Sequence, residues 1–222
     1  MNRIHLFLGT FLGCSLLCLT ATIAAPLEDA EKILRQAKKV EVTFSDGSKE
    51  WKRPTMFVGK LDNGVVVVKS SFMTLDTDGA SEKIRACDPT AQPDTALSDP
   101  QGNPTDSNTI PYYVLPGSRK QLGLRLGNLA AVLSGDKIVH AIAADIGPEK
   151  QFGEGSVELH RELGHETVGK HPNNHDCTKD ESLEAEVIFV IFPGSNSKWL
   201  PKETIQQKGS ELWQELIRTI HQ

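Results

Sequence analysis

LAAVLSGDKIVHAIAAD, residues 129–145, decides how this chain folds. Two apolar runs, Leu129 to Leu133 and Ile138 to Ala144, flank Ser134-Gly135-Asp136, the composition of a hairpin turn. The second run ends abruptly in Asp145 and is followed by a Gly/Pro turn, Ile146-Gly147-Pro148. Nine residues beyond Asp145 stands Glu154, held between Gly153 and Gly155. One acid therefore closes a buried segment, and a second is expected on a glycine-framed loop. Two carboxylic acids in different surroundings are what acid–base hydrolysis of a glycosidic bond requires. Two solvated acids on a surface turn are the commoner arrangement at such spacing, so the rest of the chain has to decide between them.

Working outward, Tyr112 to Leu115 predicts a short strand. Val65 to Val68, opened by Asn63-Gly64, predicts a buried one. Glu186 to Phe192 alternates toward Val187, Phe189 and Ile191 before stopping at Pro193-Gly194-Ser195, and Val40 to Phe44 alternates up to Ser45-Asp46-Gly47. Helical spacing of apolar residues predicts helices over Leu27 to Lys39, Val157 to Leu163 and Glu211 to Ile220. Cys87 to Pro111 is rich in Asp, Pro, Gly, Thr and Ser and predicts a long loop. Strands in the centre and helices at both ends place the chain in the mainly β, α+β class, with a compact β-barrel core and peripheral helices.

The first 24 residues read as a secretory signal: Arg3, an apolar stretch from Leu6 to Leu19, and small residues at Thr22-Ile23-Ala24. A single domain over 25–222 and a secreted or periplasmic location follow from that reading, with no membrane attachment once the signal is removed. A lipoprotein site at Cys14 is the weaker alternative, because the apolar run continues past it. Of the four cysteines, Cys14 and Cys18 lie in the signal. In an exported protein the remaining pair, Cys87 and Cys177, is expected to form a disulfide. The chain has 24 Lys and Arg against 29 Asp and Glu, a net charge of −5. That balance argues against nucleic acid, which selects basic faces, and suits a cationic ligand.

Several segments, in order, resemble glycoside hydrolase family 75, the fungal-type chitosanases. They are Ser71-Phe72-Met73-Thr74-Leu75-Asp76-Thr77-Asp78-Gly79, Ile110 to Pro116, Gly135 to Ile142, Asp145, Phe152-Gly153-Glu154-Gly155-Ser156 and Phe192-Pro193-Gly194-Ser195. The resemblance implies an endo-acting, inverting hydrolase of β-1,4-linked glucosamine chains (chitosan). It would need no cofactor, with Asp145 and Glu154 as its catalytic acids, on a core like the double-psi barrels of some other glycan-cleaving enzymes. Residue chemistry leans to Asp145 as general acid, because four apolar residues precede it, and to Glu154 as general base, with the exchanged roles open. The chain departs from the family at Thr77, where the family has a cysteine, and at Phe72 and Thr74, where it has aspartates.

Asp76 and Asp78 are candidates for holding glucosamine ammonium groups, or for capping an Asp-x-Asp-Gly turn. Tyr112, Tyr113, Trp51 and Trp199 are candidates for stacking on sugar rings, with packing expected for at least two of them. Gln92 and Thr95 are expected near the cleft. His165, His171, His175 and Cys177 lack metal-ligand spacing, so no metal is expected. Three functions remain in play: a chitosanase acting as a monomer, a hydrolase of another amino-sugar polymer such as peptidoglycan, and a non-catalytic exported polysaccharide-binding protein.

Overall fold

The computed structural model describes residues 26–52, 55–86, 90–165 and 182–222. The signal segment, Cys87, Cys177, His171 and His175 lie outside them, so the leader and disulfide expectations fall outside the described residues, and of the histidine cluster only His165 is among them. Ten strands form one mixed sheet: β1 (Lys38–Lys39), β2 (Thr55–Lys60), β3 (Val66–Ser70), β4 (Met73–Asp76), β5 (Tyr112–Leu115), β6 (Leu129–Ser134), β7 (Lys137–Ile146), β8 (Glu154–Ser156), β9 (Ser182–Leu183) and β10 (Val187–Phe192). Their order across the sheet is β1-β2-β3-β10-β6-β7-β5-β8-β4-β9. The α-helices among the described residues are α1 (Pro26–Gln36), α2 (Glu82–Arg85), α3 (Val157–Glu162) and α4 (Lys202–Ile220).

The predicted hairpin is present. β6 and β7 pair antiparallel from Leu129↔Ile142 to Ser134↔Lys137, turning at Gly135-Asp136. β10 lies on the other side of β6, and all six of its residues are buried. A strand enclosed on both faces reads as a continuous apolar run, which Val-Ile-Phe-Val-Ile-Phe is. Val58, Val66, Val68, Met73, Tyr113, Val132, Ala141, Ala143 and Phe189 meet in one cluster, although they come from both halves of the sheet. The sheet is therefore curled around that cluster as a half-barrel, with β1 and β9 as its two edges. This is the expected mainly β class with helices at the periphery. The core runs across both halves of the sequence: β3, from the amino-terminal part, is hydrogen-bonded to β10 near the other end.

Two helices cover the outer face. Ala30 and Ile33 of α1 and Trp213 and Leu216 of α4 pack on Val67, Ala131, Leu133, Ile188 and Val190. α4 begins at Lys202, ahead of the stretch that apolar spacing marked, because its first turns carry few apolar residues and are interrupted by Gly209. That glycine is where the helix touches the sheet. A Cβ there would stand 2.4 Å from His140 Cβ and 2.6 Å from Cγ. An exposed helical Gly→Ala change gains about 1 kcal/mol in propensity. Here the opposing atoms sit at the root of a side chain fixed to β7, and overpacking typically costs about 1–3 kcal/mol. Gly209→Ala is therefore expected to lower Tm by a few °C in a thermal melt, whereas a rise would show that α4 can slide off the contact.

Val40 to Phe44 is not a strand. Val40 donates to Val58 O, but Thr43 N turns to the Gln121 side chain and Phe44 N to Ser48 O. Its alternation is nonetheless real in packing, since Val42 and Phe44 are buried in the core.

Candidate active site

β7, β5, β8 and β4 run side by side, and one end of this group carries the acids. Inner-face residues of β7 are Val139, Ala141 and Ala143, so strict alternation would turn Asp145 into the core. It does not, because the β5–β7 register slips: Tyr113 faces Ala143, but Val114 faces Asp145. The bulge skips Ala144 and puts Asp145 on the outer face with Val114, a use of bulges that re-aims one side chain. Asp145 Oδ1 accepts hydrogen bonds from Ala96 N (3.0 Å) and Ile146 N (2.8 Å). The residue is half-buried. Its surroundings are polar and amide-lined, unlike the dry pocket that Ala141 to Ala144 suggested.

Glu154 opens β8 rather than sitting on a free loop. Gly153 precedes it at φ +101°, a conformation that favours glycine, and the Gly153 carbonyl accepts from both the Thr74 amide and hydroxyl. Gly155 lies opposite Tyr113 in an antiparallel pair, so Val114 comes opposite Glu154 when that register is continued by one residue. Asp145, Val114, Glu154 and its partner Thr74 thus form one row across four strands. Strands lie about 4.7–4.9 Å apart, so the backbones of Asp145 and Glu154 are separated by roughly 9–10 Å.

Asp76 ends β4, and Asp78 follows in a turn. The turn is an Asx turn: Asp78 N donates to Asp76 Oδ1 at 2.8 Å. Asp78 Oδ1 in turn accepts from Gln92 N at 2.6 Å, which ties the exposed Gln92 and its loop to the site. One pocket is lined by Leu75, Asp76, Asp78, Thr90, Val114, Asp145, Ile146, Gly147, Pro148 and Glu154. Among the described residues, four carboxylates and no basic side chain line it. Carboxylate oxygens of Asp76, Asp78 and Asp145 lie within 4.8 Å of one another. Among the described residues the grouping contains carboxylates alone, without the nitrogen or sulfur donors of a zinc site. Desolvation, followed by the Asp78, Asp145 and Glu154 charges, pushes the Asp76 carboxyl well above the ordinary carboxylate range, against the pull of the Asp78 amide.

Tyr112 and Tyr113 stand elsewhere than expected. Both are fully buried, so neither offers a ring face to a sugar. Tyr112 lies under the site, donating its hydroxyl to Asp78 O, while Tyr113 packs on Phe189 and donates to Asn128 O. The strand pleat points the two rings to opposite faces, Tyr113 into the inner core and Tyr112 into the outer cluster with Ile142 and Ile205, and both faces are covered. Trp51 is half-buried, edge-on to Phe44 and against Phe152, next to the Glu154 strand. Trp199 packs at the fringe of the cluster that contains Tyr112 and Ile205. Thr95 is buried, bonded to Leu97 O and Thr105 N.

Two residues that sequence reasoning passed over help to build the site. Ser107 donates its hydroxyl to Asp76 O and accepts from Val157 N, holding β4 beside the start of α3. His160, fully buried, faces the carbonyls of Ser156 (2.9 Å) and Met73 (3.1 Å), clamping β8 to β4 from behind. Burial pushes its imidazole down to about 4, although the two carbonyls oppose that shift.

A family model described as "Fungal chitosanase of glycosyl hydrolase group 75" matches residues 73–222. The match begins at the first residue of β4 and contains all four pocket acids. No curated protein matches the chain.

Proposed function

The chain belongs to the fungal chitosanases of glycosyl hydrolase group 75, and on that premise we propose that it is an exported enzyme cutting chitosan within the chain, with inversion. The supporting observation is the row that sets Asp145 and Glu154 on one face, two strands apart. Backbones two strands apart leave room for a water between the side chains, as inversion requires, where carboxyls stand roughly 6.5–9.5 Å apart. In this reading Asp145, held by its two amide donors, takes a proton from the attacking water. Glu154 gives a proton to the departing glycosidic oxygen. The roles are the reverse of those the apolar run before Asp145 suggests, and the reason is the polar setting of that side chain. Asp78 is the ammonium-binding candidate on the rim. Residues 25–222 act as one catalytic domain, because the strands before residue 73 complete the same core. Export rests on the leader; among the described residues no helix is long and apolar enough to cross a membrane.

A hydrolase of a different amino-sugar polymer is favoured by one observation. Thr74, where family members carry an acid, occupies the row beside Glu154 and spends its hydroxyl on Gly153 O. The cleft thus has one carboxylate fewer for ammonium groups.

Reducing-end release from soluble chitosan, with the product anomer followed by NMR in the first minutes, tests both readings. The expected result is release with the α-anomer appearing first. Early β-anomer would overturn inversion. No release by folded protein would remove chitosan as substrate, and peptidoglycan fragments and binding assays would then separate another hydrolase from a binding protein.

A further inference from the structure

The loop from Gly147 to Phe152 joins the two acids in sequence and touches the second of them at both ends. At one end Ile146, Gly147 and Pro148 line the pocket. Gly147 approaches Glu154 so closely that a Cβ there would stand 2.6 Å from Oε2. At the other end Phe152 leads through Gly153 directly into Glu154. Where this loop lies therefore bears on where the Glu154 carboxylate lies.

The amino-terminal segment 43–52 is laid across this loop. Ser45 donates its amide (2.9 Å) and its hydroxyl (2.6 Å) to the Glu149 carboxylate, one to each oxygen. From the next residue, Lys150 Nζ pairs with Asp46, donates to Ser48 Oγ at 2.6 Å and stands 5.3 Å from the centre of the Phe44 ring. The backbone joins in, with Lys52 N donating to Lys150 O at 2.8 Å, and the Trp51 ring packs against Phe152 at 5.7 Å between centroids. An exposed ion pair alone holds little. Here the Lys150 side chain is only 17% exposed, and backbone, hydroxyl and aromatic contacts act with it. The segment is itself anchored, because Phe44 is buried in the core and Thr43 exchanges two hydrogen bonds with the Gln121 side chain. The family match begins at residue 73, and this segment precedes it.

We propose that residues 43–52 form a brace that fixes the 147–152 loop and, through it, the Glu154 carboxylate, with Glu149 and Lys150 as the positioning residues that the brace grips. The proposal rests on the reading of Glu154 as one of the two reacting acids. The grip on the loop can be measured without substrate.

Glu149→Ala removes both acceptors of Ser45. It is expected to lower kcat on chitosan about ten-fold with KM within about two-fold, short of the ~10² that a misplacement of about 1 Å can cost. Glu149→Gln keeps an oxygen for the Ser45 amide and an NH2 group for its hydroxyl, so it should recover most of the rate. Lys150→Met keeps an apolar stem over Phe44 but loses the ammonium, and its kcat should fall several-fold. The substrate profile identifies the acid that has moved. On a chitooligosaccharide with a dinitrophenyl leaving group, Glu149→Ala should follow Glu154→Gln and diverge from Asp145→Asn. In the absence of substrate, amide hydrogen exchange across 147–152 should quicken about five-fold or more in Glu149→Ala, the weight of roughly one lost hydrogen bond, and stay unchanged in the β6–β7 hairpin.

Unchanged kcat in folded Glu149→Ala overturns the proposal. So does a loss in Glu149→Gln as full as in Glu149→Ala, which would make the charge of Glu149 the cause and not its tether to Ser45. A substrate profile that follows Asp145→Asn also overturns it, since the loop would then be acting on the other acid. If Glu149→Ala does not fold, Lys150→Met carries the same comparison, and full activity there overturns the proposal. If wild type does not cut chitosan, the functional reading fails, and exchange still decides the brace: unchanged exchange across 147–152 would show that the loop holds itself.

Discussion

Asp145→Asn and Glu154→Gln are each expected to slow chitosan cleavage by about 1,000-fold, with Tm within about 2 °C of wild type. General acid–base groups are typically worth about 10²–10⁴ in rate. The stability control is sound at Asp145 because Asn keeps an oxygen for the Ala96 and Ile146 amides, the two bonds the structure gives Oδ1. What Asn lacks is the basicity to accept a proton from water. The two variants should also separate by role. A chitooligosaccharide carrying a dinitrophenyl leaving group needs no acid, so Glu154→Gln should recover most of its rate on it and Asp145→Asn none. Recovery by Asp145→Asn instead would exchange the roles. Full activity in either folded variant would remove that residue from the reaction.

The parts of this fold visible in the sequence are those whose signal is carried by consecutive side chains. The Leu129–Ala144 hairpin, the Tyr112–Leu115 strand and the apolar run of β10 can all be read in place, because strands buried on both faces need no partner to announce themselves. β4 and β8 are short, and Glu-Gly-Ser carries no strand period, so Glu154 read as a loop residue. The acids themselves could be picked out by residue type and by the order of the family's segments. Their common face could not. Asp145 points outward only because β5 and β7 slip by one residue, and register belongs to two strands at once. The turn that carries Asp76 and Asp78 is likewise held by Ser107 and Tyr112, about 30 residues away, through the carbonyls of Asp76 and Asp78. Thr43 shows the opposite failure: a strand-like alternation is spent on a side-chain acceptor, Gln121, that no local pattern reveals.

Gly147→Ala is expected to cut kcat by about 100-fold although it adds a single methyl group and changes neither acid. A Cβ at this position would meet Glu154 Oε2 at 2.6 Å and Val114 Cγ1 at 3.0 Å. One of three parts must yield: the loop, Val114 or the carboxylate. The loop is pinned on both sides. Gly147 N donates to Leu115 O, Gly117 N to Pro148 O and Ser118 Oγ to Glu149 O. The amino-terminal segment adds Ser45, whose amide and hydroxyl both reach the Glu149 carboxylate. Val114 is buried and wedged in the row between Asp145 and Glu154. The far end of the Glu154 side chain is the softest of the three, so the methyl displaces the carboxylate, and misplacement by about 1 Å can cost ~10² in rate. Because a flexible side chain absorbs the clash, Tm should change by no more than about 2–3 °C, and KM should move far less than kcat. Activity within two-fold of wild type would show that the Glu154 carboxylate works in a position away from Gly147. A large fall in Tm would show that the loop had yielded first.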